Sequence, residues 1–177
     1  MKKMLFLFCL IFFAQNAVQA ANSPTPLQIF FLVKKIFPEI KEVSVLVTKD
    51  LLETEKTRVT RAAAQTQMKV VLYPVENATD IGTSFKEIND KSFVVIYDTD
   101  ILSQKSNKLY ILSKCKEKRI PLITTSPEYT ESGALIGILA EGNDKTDVVV
   151  NLKHSDSFQS KFTSDFIRQA GISRVIQ

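Results

Sequence analysis

Short apolar runs alternate with amphipathic segments along most of the chain, a pattern that predicts strands separated by helices. The apolar runs are rich in Val, Ile and Leu at successive positions, as is typical of strands buried on both faces of a sheet. The segments between them place apolar residues three and four positions apart, as a helix with one buried face requires. The predicted strands cover residues 42–48, 68–75, 93–97, 120–124, 134–139 and 147–152.

Capping residues mark the ends of the predicted helices. Thr25 stands before a proline at the start of a helix that ends at Pro38. Asp50 is expected to cap the second helix. Gly171 is well placed for a left-handed cap after the last helix. The remaining helices are predicted over residues 79–88, 107–118 and 164–170.

This order of elements predicts the fold class. Strands separated by helices pair in parallel through right-handed crossovers. The last two long strands have only a turn at Gly142-Asn143-Asp144 between them, which favours an antiparallel hairpin. The expected fold is α/β: a three-layer α/β/α sandwich around a mostly parallel, Rossmann-like sheet.

The first twenty residues have the pattern of a cleavable export signal. Lys2 and Lys3 precede an apolar run over residues 4–13, which is too short to span a bilayer stably. Val18-Gln19-Ala20 then supplies the small residue that a signal peptidase requires. We expect cleavage after Ala20, a periplasmic location, and a single α/β lobe over residues 21–177.

Charge and cysteine content narrow the function classes. The chain carries 23 Lys and Arg against 19 Asp and Glu, and Lys2 and Lys3 leave with the predicted signal. The remaining charge is too balanced for a nucleic-acid partner, and the basic run at residues 114–119 is expected to close a helix. Cys9 lies in the signal, so Cys115 remains alone and is predicted to be a small buried residue.

Polar residues follow three of the predicted strands at their carboxyl ends, where open α/β sheets bind ligands. Several stand beside helix starts, whose backbone N–H groups attract polar or anionic ligand groups. Asp, Ser and Thr at such positions can equally serve as helix caps alone. A small polar ligand such as an amino acid would suit the candidate residues, which are Thr48, Lys49, Asp50, Asp98, Thr99, Asp100, Thr125 and Ser126.

The sequence gives little support to catalysis. Asp98 and Asp100 could hold Mg²⁺ for phosphoryl transfer, but Leu102 replaces the Thr or Val of haloacid-dehalogenase-like phosphatases. His154 has no second histidine with which to share a metal. No nucleophile elbow is present, and the five glycines miss the phosphate-loop and dinucleotide spacings. We expect a non-enzymatic protein with no catalytic residue, metal or cofactor.

Three segments of the chain carry a family resemblance. The first is LQIFFLVKKIFPEIKEVSVLV at residues 27–47, with a helix, a proline and a strand. The second is RIPLITTSPEYTESGALIGI at residues 119–138, with a strand, a polar turn, a helix and Gly-Ala-Leu, and the third is VVVNLKHSDSFQSKFTSDFIRQAGISRVI at residues 148–176. They resemble, in this order, the opening, the middle and the closing segment of the second lobe of ABC-transporter substrate-binding proteins of the tryptophan/tyrosine type. That lobe has a periplasmic-binding-protein type I-like fold, and its closing segment has a helix and a short final strand.

The compact ending is also similar to the YfiR-like family of small periplasmic proteins, which are known as repressors of membrane diguanylate cyclases. The paired cysteines of that family have no match in this chain. The first lobe of the substrate-binding proteins has no counterpart here either, and a single lobe cannot clamp a ligand between two lobes.

These resemblances imply an exported binding or sensing module. We expect it to dock on a membrane protein, either a transporter permease or a signalling receptor, or on a second copy as a homodimer. Tyr97 and Tyr129 are candidate anchors for such an interface. A small polar solute is a further expected ligand. The alternative is the solute-binding component of an ABC importer for amino acids or similar small molecules.

Overall fold

The computed structural model describes residues 24–97, 99–141, 145–153 and 155–177. Four features of the sequence interpretation lie outside these described residues, namely the predicted signal at residues 1–20, Asp98, the predicted turn at residues 142–144, and His154.

The described residues form a seven-stranded sheet with helices on both faces. The strands are β1 (Glu42–Thr48), β2 (Lys69–Val75), β3 (Phe93–Ile96), β4 (Leu122–Thr124), β5 (Ile136–Glu141), β6 (Lys145–Asn151) and β7 (Arg174–Ile176). The helices are α1 (Pro26–Ile36), α2 (Lys49–Thr66), α3 (Ala78–Glu87), α4 (Asp100–Ser103), α5 (Lys105–Lys118), α6 (Pro127–Ser132) and α7 (Ser164–Ala170), with a 3₁₀ helix at Asp156–Lys161.

The strand order is β2-β1-β3-β4-β5-β6-β7. The first five strands along the chain run parallel, β6 runs antiparallel to β5, and β7 is parallel to β6. The predicted mostly parallel α/β sandwich and its terminal hairpin are therefore confirmed. The chain moves outward from β1 in one direction to β2 and in the other to β3, which places the topological switch point between β1 and β3.

Two apolar cores fill the space between the sheet and its helices. Helices α1, α2 and α7 cover one core, and α3, α5 and α6 cover the other. Val43, Val45 and Val47 of β1 belong to the first core, whereas Leu46 belongs to the second. This alternation follows from the two-residue period of a strand, and each such side chain contributes about 1.5–3 kcal/mol when fully buried.

The caps explain where most helices begin and end. Thr25 caps α1 as predicted. It also forms a reciprocal capping box with Gln28, which was not predicted. Gly171 ends α7 with φ 75°, which confirms the predicted left-handed cap. Asp50 does not cap α2, so that prediction is wrong. Strand β1 continues directly into α2, which makes Thr48 the N-cap and leaves Asp50 in the first helical turn.

Helix α5 closes as predicted, with the basic run in its last turn and Arg119 in the left-handed region at φ 56°. Cys115, on the inner face of α5, is buried as predicted, and burial raises the pKa of its thiol well above the usual range. No helix in the described part of the chain is both long enough and apolar enough to cross a membrane.

The two outermost strands of the sheet differ from the inner ones. Strand β2, at one edge, contains Pro74, which an edge strand tolerates because one of its sides has no pairing strand. Strand β7, at the other edge, is only three residues long. The resemblance predicted this short final strand, but helix α4 and the 3₁₀ helix were not expected, since such short segments show no helical period.

Candidate ligand-binding groove at the carboxyl edge of the sheet

The structure brings the described candidate residues to one edge of the sheet. Strands β1, β3 and β4 are parallel, so their carboxyl ends lie side by side. Thr48, Lys49 and Asp50 lie where β1 meets α2, Thr99 and Asp100 lie where α4 begins, and Thr125 and Ser126 lie between β4 and α6.

The hydrogen bonds of Ser126 stabilise the turn after β4 and the start of α6. Its side chain is buried, and its Oγ accepts a hydrogen bond from the backbone N–H of Tyr129 at 3.5 Å, as the N-cap of α6. Its own backbone N–H donates to Thr124 Oγ1 at 3.0 Å. Capping therefore accounts for Ser126.

The charged candidates point into solvent. Lys49 forms an ion pair with Glu76, and this hydrogen bond to Glu76 raises the pKa of the Lys49 ammonium. Asp50 and Asp100 are exposed in the first turns of α2 and α4. Exposed ion pairs and acidic residues in a first helical turn contribute little to stability. These three charged side chains therefore lie at the solvent-exposed margin of the candidate site.

Thr48 and Thr99 occupy N-cap positions, but neither side chain makes a capping hydrogen bond. Thr48 is only 4% exposed, and the Oγ1 atoms of both residues are buried without a hydrogen-bond partner among the described residues. Buried hydroxyl groups in proteins are almost always paired. The bonding capacity of these two hydroxyls is therefore not used by the helices they precede.

A groove of about 340 Å³ opens beside these strand ends, on the face covered by α2. Its size is at the lower end of the range for small-molecule sites, roughly 300–1,000 Å³. The residues that line it include Leu51, Glu55 and Arg58 of α2, Tyr97 after β3, Thr125 after β4, and Ala140 of β5.

Glu55 is a buried carboxylate in the wall of this groove. The residue is 8% exposed, and its Oε1 accepts a hydrogen bond from Arg58 at 2.5 Å. Its Oε2 is buried and has no hydrogen-bond partner among the described residues. Arg58, by contrast, has a half-exposed side chain. Arg58 therefore pairs with only one of the two oxygens of the Glu55 carboxylate.

Tyr97 brings a second unpaired group to the groove. Its hydroxyl is buried without a partner among the described residues. Burial raises the pKa of this hydroxyl, and the negative charge of Glu55 raises it further. Tyr97 therefore keeps its proton at any physiological pH and can both donate and accept a hydrogen bond.

The unpaired polar atoms form a spatial pattern. Four buried side-chain oxygens lack a partner within the described ranges, namely Thr48 Oγ1, Glu55 Oε2, Tyr97 Oη and Thr99 Oγ1. Each belongs to the carboxyl end of β1 or β3 or to the early turns of α2. Unpaired buried polar groups are rare in proteins and need an explanation. The switch point of an α/β sheet, where these oxygens lie, is the place at which such sheets bind ligands.

Sequence reasoning missed Glu55 and Arg58. A signal for Glu55 was present, because it follows Leu51 and precedes Val59 at four-residue intervals on the inward-facing stripe of α2. A carboxylate at such a position is buried and needs a partner.

The prediction that Tyr129 anchors an exposed interface is wrong. Tyr129 is fully buried under α6, and its hydroxyl donates a hydrogen bond to the carbonyl of Leu102. Its position after Pro127 and Glu128 places it on the inner side of a one-and-a-half-turn helix, which packs against the sheet.

The groove offers noncovalent chemistry: one carboxylate, one guanidinium, the two hydroxyls of Tyr97 and Thr125, and the apolar walls of Leu51 and Ala140. Within the described ranges, no group of three or more His, Cys, Asp or Glu side chains is arranged to hold a metal ion.

Solved structures share this fold. A conserved domain protein from Vibrio cholerae O1 biovar El Tor is 16% identical to this chain with a TM-score of 0.69. The match covers 86% of this chain and 60% of the Vibrio protein. An ABC domain in complex with L-Trp from Streptococcus pneumoniae is 14% identical with a TM-score of 0.68, covering 86% and 62%. A ligand-free, open substrate binding protein with adhesive properties from Clostridium difficile is 16% identical with a TM-score of 0.62, covering 85% and 59%.

The chain thus spans about three fifths of the length of these structures. No curated protein sequence matches the chain. The sequence profile of one family, described as ABC transporter substrate binding protein, matches residues 23–151, which include every element from α1 to β6. This match covers well over half of the chain and confirms the resemblance to ABC-transporter substrate-binding proteins. The protein belongs to the ABC transporter substrate binding protein family.

Proposed function

We propose that this protein binds a small polar solute in the groove at the carboxyl edge of its sheet and works as a non-enzymatic binding module. The observation that carries the proposal is a pair of buried oxygens, Glu55 Oε2 and Tyr97 Oη, which belong to residues that line the groove and have no hydrogen-bond partner in the described part of the chain. Among the candidate residues from the sequence, Thr125 lines the groove, and Thr48 and Thr99 lie at the adjoining strand ends, with Asp98 directly before Thr99 in the chain.

The energetic argument is one of unmet hydrogen bonds. A buried polar group without a partner costs about 1–3 kcal/mol. Four such groups in one place are a substantial cost for a domain whose total stability is about 5–15 kcal/mol. A ligand that supplies hydrogen bonds to the two oxygens of groove-lining residues, Glu55 Oε2 and Tyr97 Oη, offsets part of this cost and so favours binding at this site.

Amino acids are the first class of solute to test. One structural neighbour is an ABC domain in complex with L-Trp, and family membership supports a small-molecule ligand for this chain. The polar edge and the apolar walls of Leu51 and Ala140 match a ligand with one polar end and one carbon-rich end.

We further infer that the signal is cleaved after Ala20 and that the mature protein, residues 21–177, acts in the periplasm. We also infer that it docks on a membrane partner. Arg58, in the wall of the groove, has a half-exposed side chain. A permease, a receptor or a second copy of this chain would cover this side chain. Delivery of the solute to an ABC importer is the second candidate function, and family membership favours it.

A thermal-shift screen against the standard amino acids, common sugars and small dicarboxylic acids tests the proposal. A true ligand raises the melting temperature progressively with concentration, by the equivalent of roughly 2.7 kcal/mol at one hundred times Kd. A response that stays flat for every solute contradicts solute binding.

Thr125→Ala provides the site control, because Thr125 lines the groove. It should reduce the thermal shift and leave the melting temperature of the free protein within about 2 °C, as surface changes do. Thr57→Ala, on the exposed side of α2, is the matched variant and should change neither quantity. Co-purification with a permease or with a signalling receptor distinguishes the two roles.

A further inference from the structure

A second groove, of about 490 Å³, opens at the amino edge of the sheet, opposite the candidate site. Strands β1, β3 and β4 are parallel neighbours, and the segments that lead into them line this groove together with the 3₁₀ helix. We propose that the groove is a separate binding site for small organic acids, in which an apolar surface holds the body of the ligand and two cations, Lys91 and Arg119, hold its carboxylate. The site does not depend on the function proposed above.

The apolar part of the lining is held in place by packing. It consists of Phe37, Ile40, Pro121 and Phe158. The rings of Phe37 and Phe158 pack edge to face with their centroids 5.9 Å apart, and Phe37 meets Phe162 in the same way at 6.4 Å. An apolar ligand body therefore meets a preformed surface and does not have to order it, which favours binding.

Both carboxylates in the lining already have a cation. Glu39 is paired with Lys161 at 2.9 Å, and the Lys161 ammonium also lies 4.6 Å from the centre of the Phe37 ring. Asp90 is paired with Lys118 at 2.8 Å. These ion pairs neutralise the two negative charges that would otherwise oppose an anionic ligand.

Lys91 and Arg119 are the remaining charged residues of the lining. Both are exposed, and neither side chain forms an ion pair with any residue that the structure describes. Val94 of β3 pairs with Leu122 of β4, and each of the two cations stands three residues before one of these partners. Both cations therefore approach the groove from neighbouring strand starts, where together they can hold one carboxylate beside the apolar surface.

The backbone at Arg119 allows a test that does not weaken the fold. Arg119 ends α5 at φ 56°, in the left-handed region that helices usually reserve for glycine. Gly171 has this role at the end of α7, and Gln67 has it at the end of α2 with φ 55°. Arg119→Gly therefore removes the guanidinium and gives the backbone the residue that it accommodates best.

The test compares three compounds that share a phenyl ring and a three-carbon chain, namely 3-phenylpropionate, 3-phenylpropanol and 3-phenylpropylamine. Acetate adds the charge without the apolar body. Because both cations are exposed, isothermal titration calorimetry of the full chain should give a Kd on the order of 0.1–1 mM for 3-phenylpropionate. The other three compounds should each bind at least roughly tenfold more weakly. No binding of 3-phenylpropionate, or equal or tighter binding of any of the other three, overturns the proposal.

Two variants remove the cations one at a time. Arg119→Gly should weaken the binding of 3-phenylpropionate roughly tenfold and leave the melting temperature equal to or above that of the wild type. Lys91→Met keeps most of the length of the side chain and should weaken binding by roughly threefold to tenfold. An unchanged affinity in both variants overturns the proposal.

Each variant has a matched control outside the lining. Gln67→Gly makes the same backbone change at the end of α2 and should leave the affinity unchanged. Lys105→Met removes an exposed cation at the opposite end of α5, about 20 Å along the helix axis from Arg119, and should also leave it unchanged. Equal losses in Lys105→Met and Lys91→Met would reflect general attraction by positive charge, which overturns the proposal.

Thr125→Ala separates the two grooves, because Thr125 lines the groove at the carboxyl edge and not the one at the amino edge. It should leave the affinity for 3-phenylpropionate unchanged. If Thr125→Ala weakens this binding and Arg119→Gly does not, the acid binds at the carboxyl edge and the inference is wrong. If Arg119→Gly weakens it while the thermal-shift screen stays flat for every solute, the site at the amino edge stands and the function proposed above is wrong.

Discussion

Gly137 of β5 lies directly against the side chain of Thr130 in α6. A Cβ at position 137 would be 2.3 Å from Thr130 Oγ1 and 2.7 Å from its Cγ2, far inside contact distance. Thr130 cannot easily move away, because its Oγ1 donates to the Ser126 carbonyl at 2.8 Å and its own carbonyl accepts from Asn151 Nδ2 at 2.7 Å. The missing side chain at position 137 therefore allows α6 to sit on the sheet.

The first prediction is that Gly137→Ala destabilises the protein by about 2–3 kcal/mol, in the upper part of the range for overpacked cores. Urea unfolding followed by circular dichroism measures the change. Gly82→Ala is the control, because a Cβ there meets only Tyr110 Oη at 3.7 Å and the residue lies inside α3. That variant should gain about 0.5–1 kcal/mol from higher helix propensity. Equal stability of the two variants would contradict the packing argument.

The second prediction separates helix caps from site residues. Asn77 Oδ1 accepts from the N–H groups of Thr79 and Asp80, so Asn77→Ala should cost about 1 kcal/mol of stability. Thr48 is also an N-cap, but its hydroxyl caps nothing, so Thr48→Val should cost nothing and gain up to about 1 kcal/mol by removing an unpaired buried oxygen. Urea unfolding of both variants gives the comparison. If Thr48→Val lowered the free energy of unfolding as much as Asn77→Ala does, the Thr48 hydroxyl would act as a helix cap and the prediction would be wrong.

The third prediction concerns alkaline pH. Burial raises the pKa of the Cys115 thiol, so the folded state keeps this proton at a pH where the unfolded chain, with an ordinary thiol pKa near 9.0, loses it. The unfolded state then binds fewer protons, and stability falls as pH rises above about 9, by at most about 1.4 kcal/mol per pH unit.

Urea unfolding of the wild type and of Cys115→Ala at about pH 7.5 and about pH 10 isolates this effect, since all other titrating groups are shared. The stability advantage of the wild type should shrink by about 1.4 kcal/mol between the two pH values. A difference that does not change with pH would show that Cys115 is accessible to water in the folded state.

Most of the fold was predictable from the sequence. The bounds of β1 were predicted to the residue, because a run rich in valine is flanked on both sides by lysine. The bounds of α7 were predicted equally well from its glycine cap. The Asp50 cap failed because a strand can pass into a helix with no intervening residue, and capping rules alone do not say which of two neighbouring polar residues takes the N-cap.

The candidate site was only partly visible in the sequence. Thr48 and Ser126 occupy equivalent strand-to-helix junctions, but only the Ser126 side chain is used as a cap. That difference depends on where each side chain points after the chain has turned, which no local pattern encodes. For Glu55, the sequence pattern alone places the residue on the inward-facing stripe of α2. That its Oε2 has no hydrogen-bond partner could be seen only in the structure, in which Tyr97 and Arg58 line the same groove.

The sheet edges described above bear on how this protein behaves at high concentration. Pro74 deprives β2 of one backbone donor and places a ring beside the strand, and β7 offers only three residues for pairing. Neither edge is therefore a long, regular template for a strand from another molecule. Newly made chains expose unpaired strand segments before they fold. Because both edges of the folded sheet are short or interrupted, such segments cannot easily pair with them and extend the sheet into a fibre.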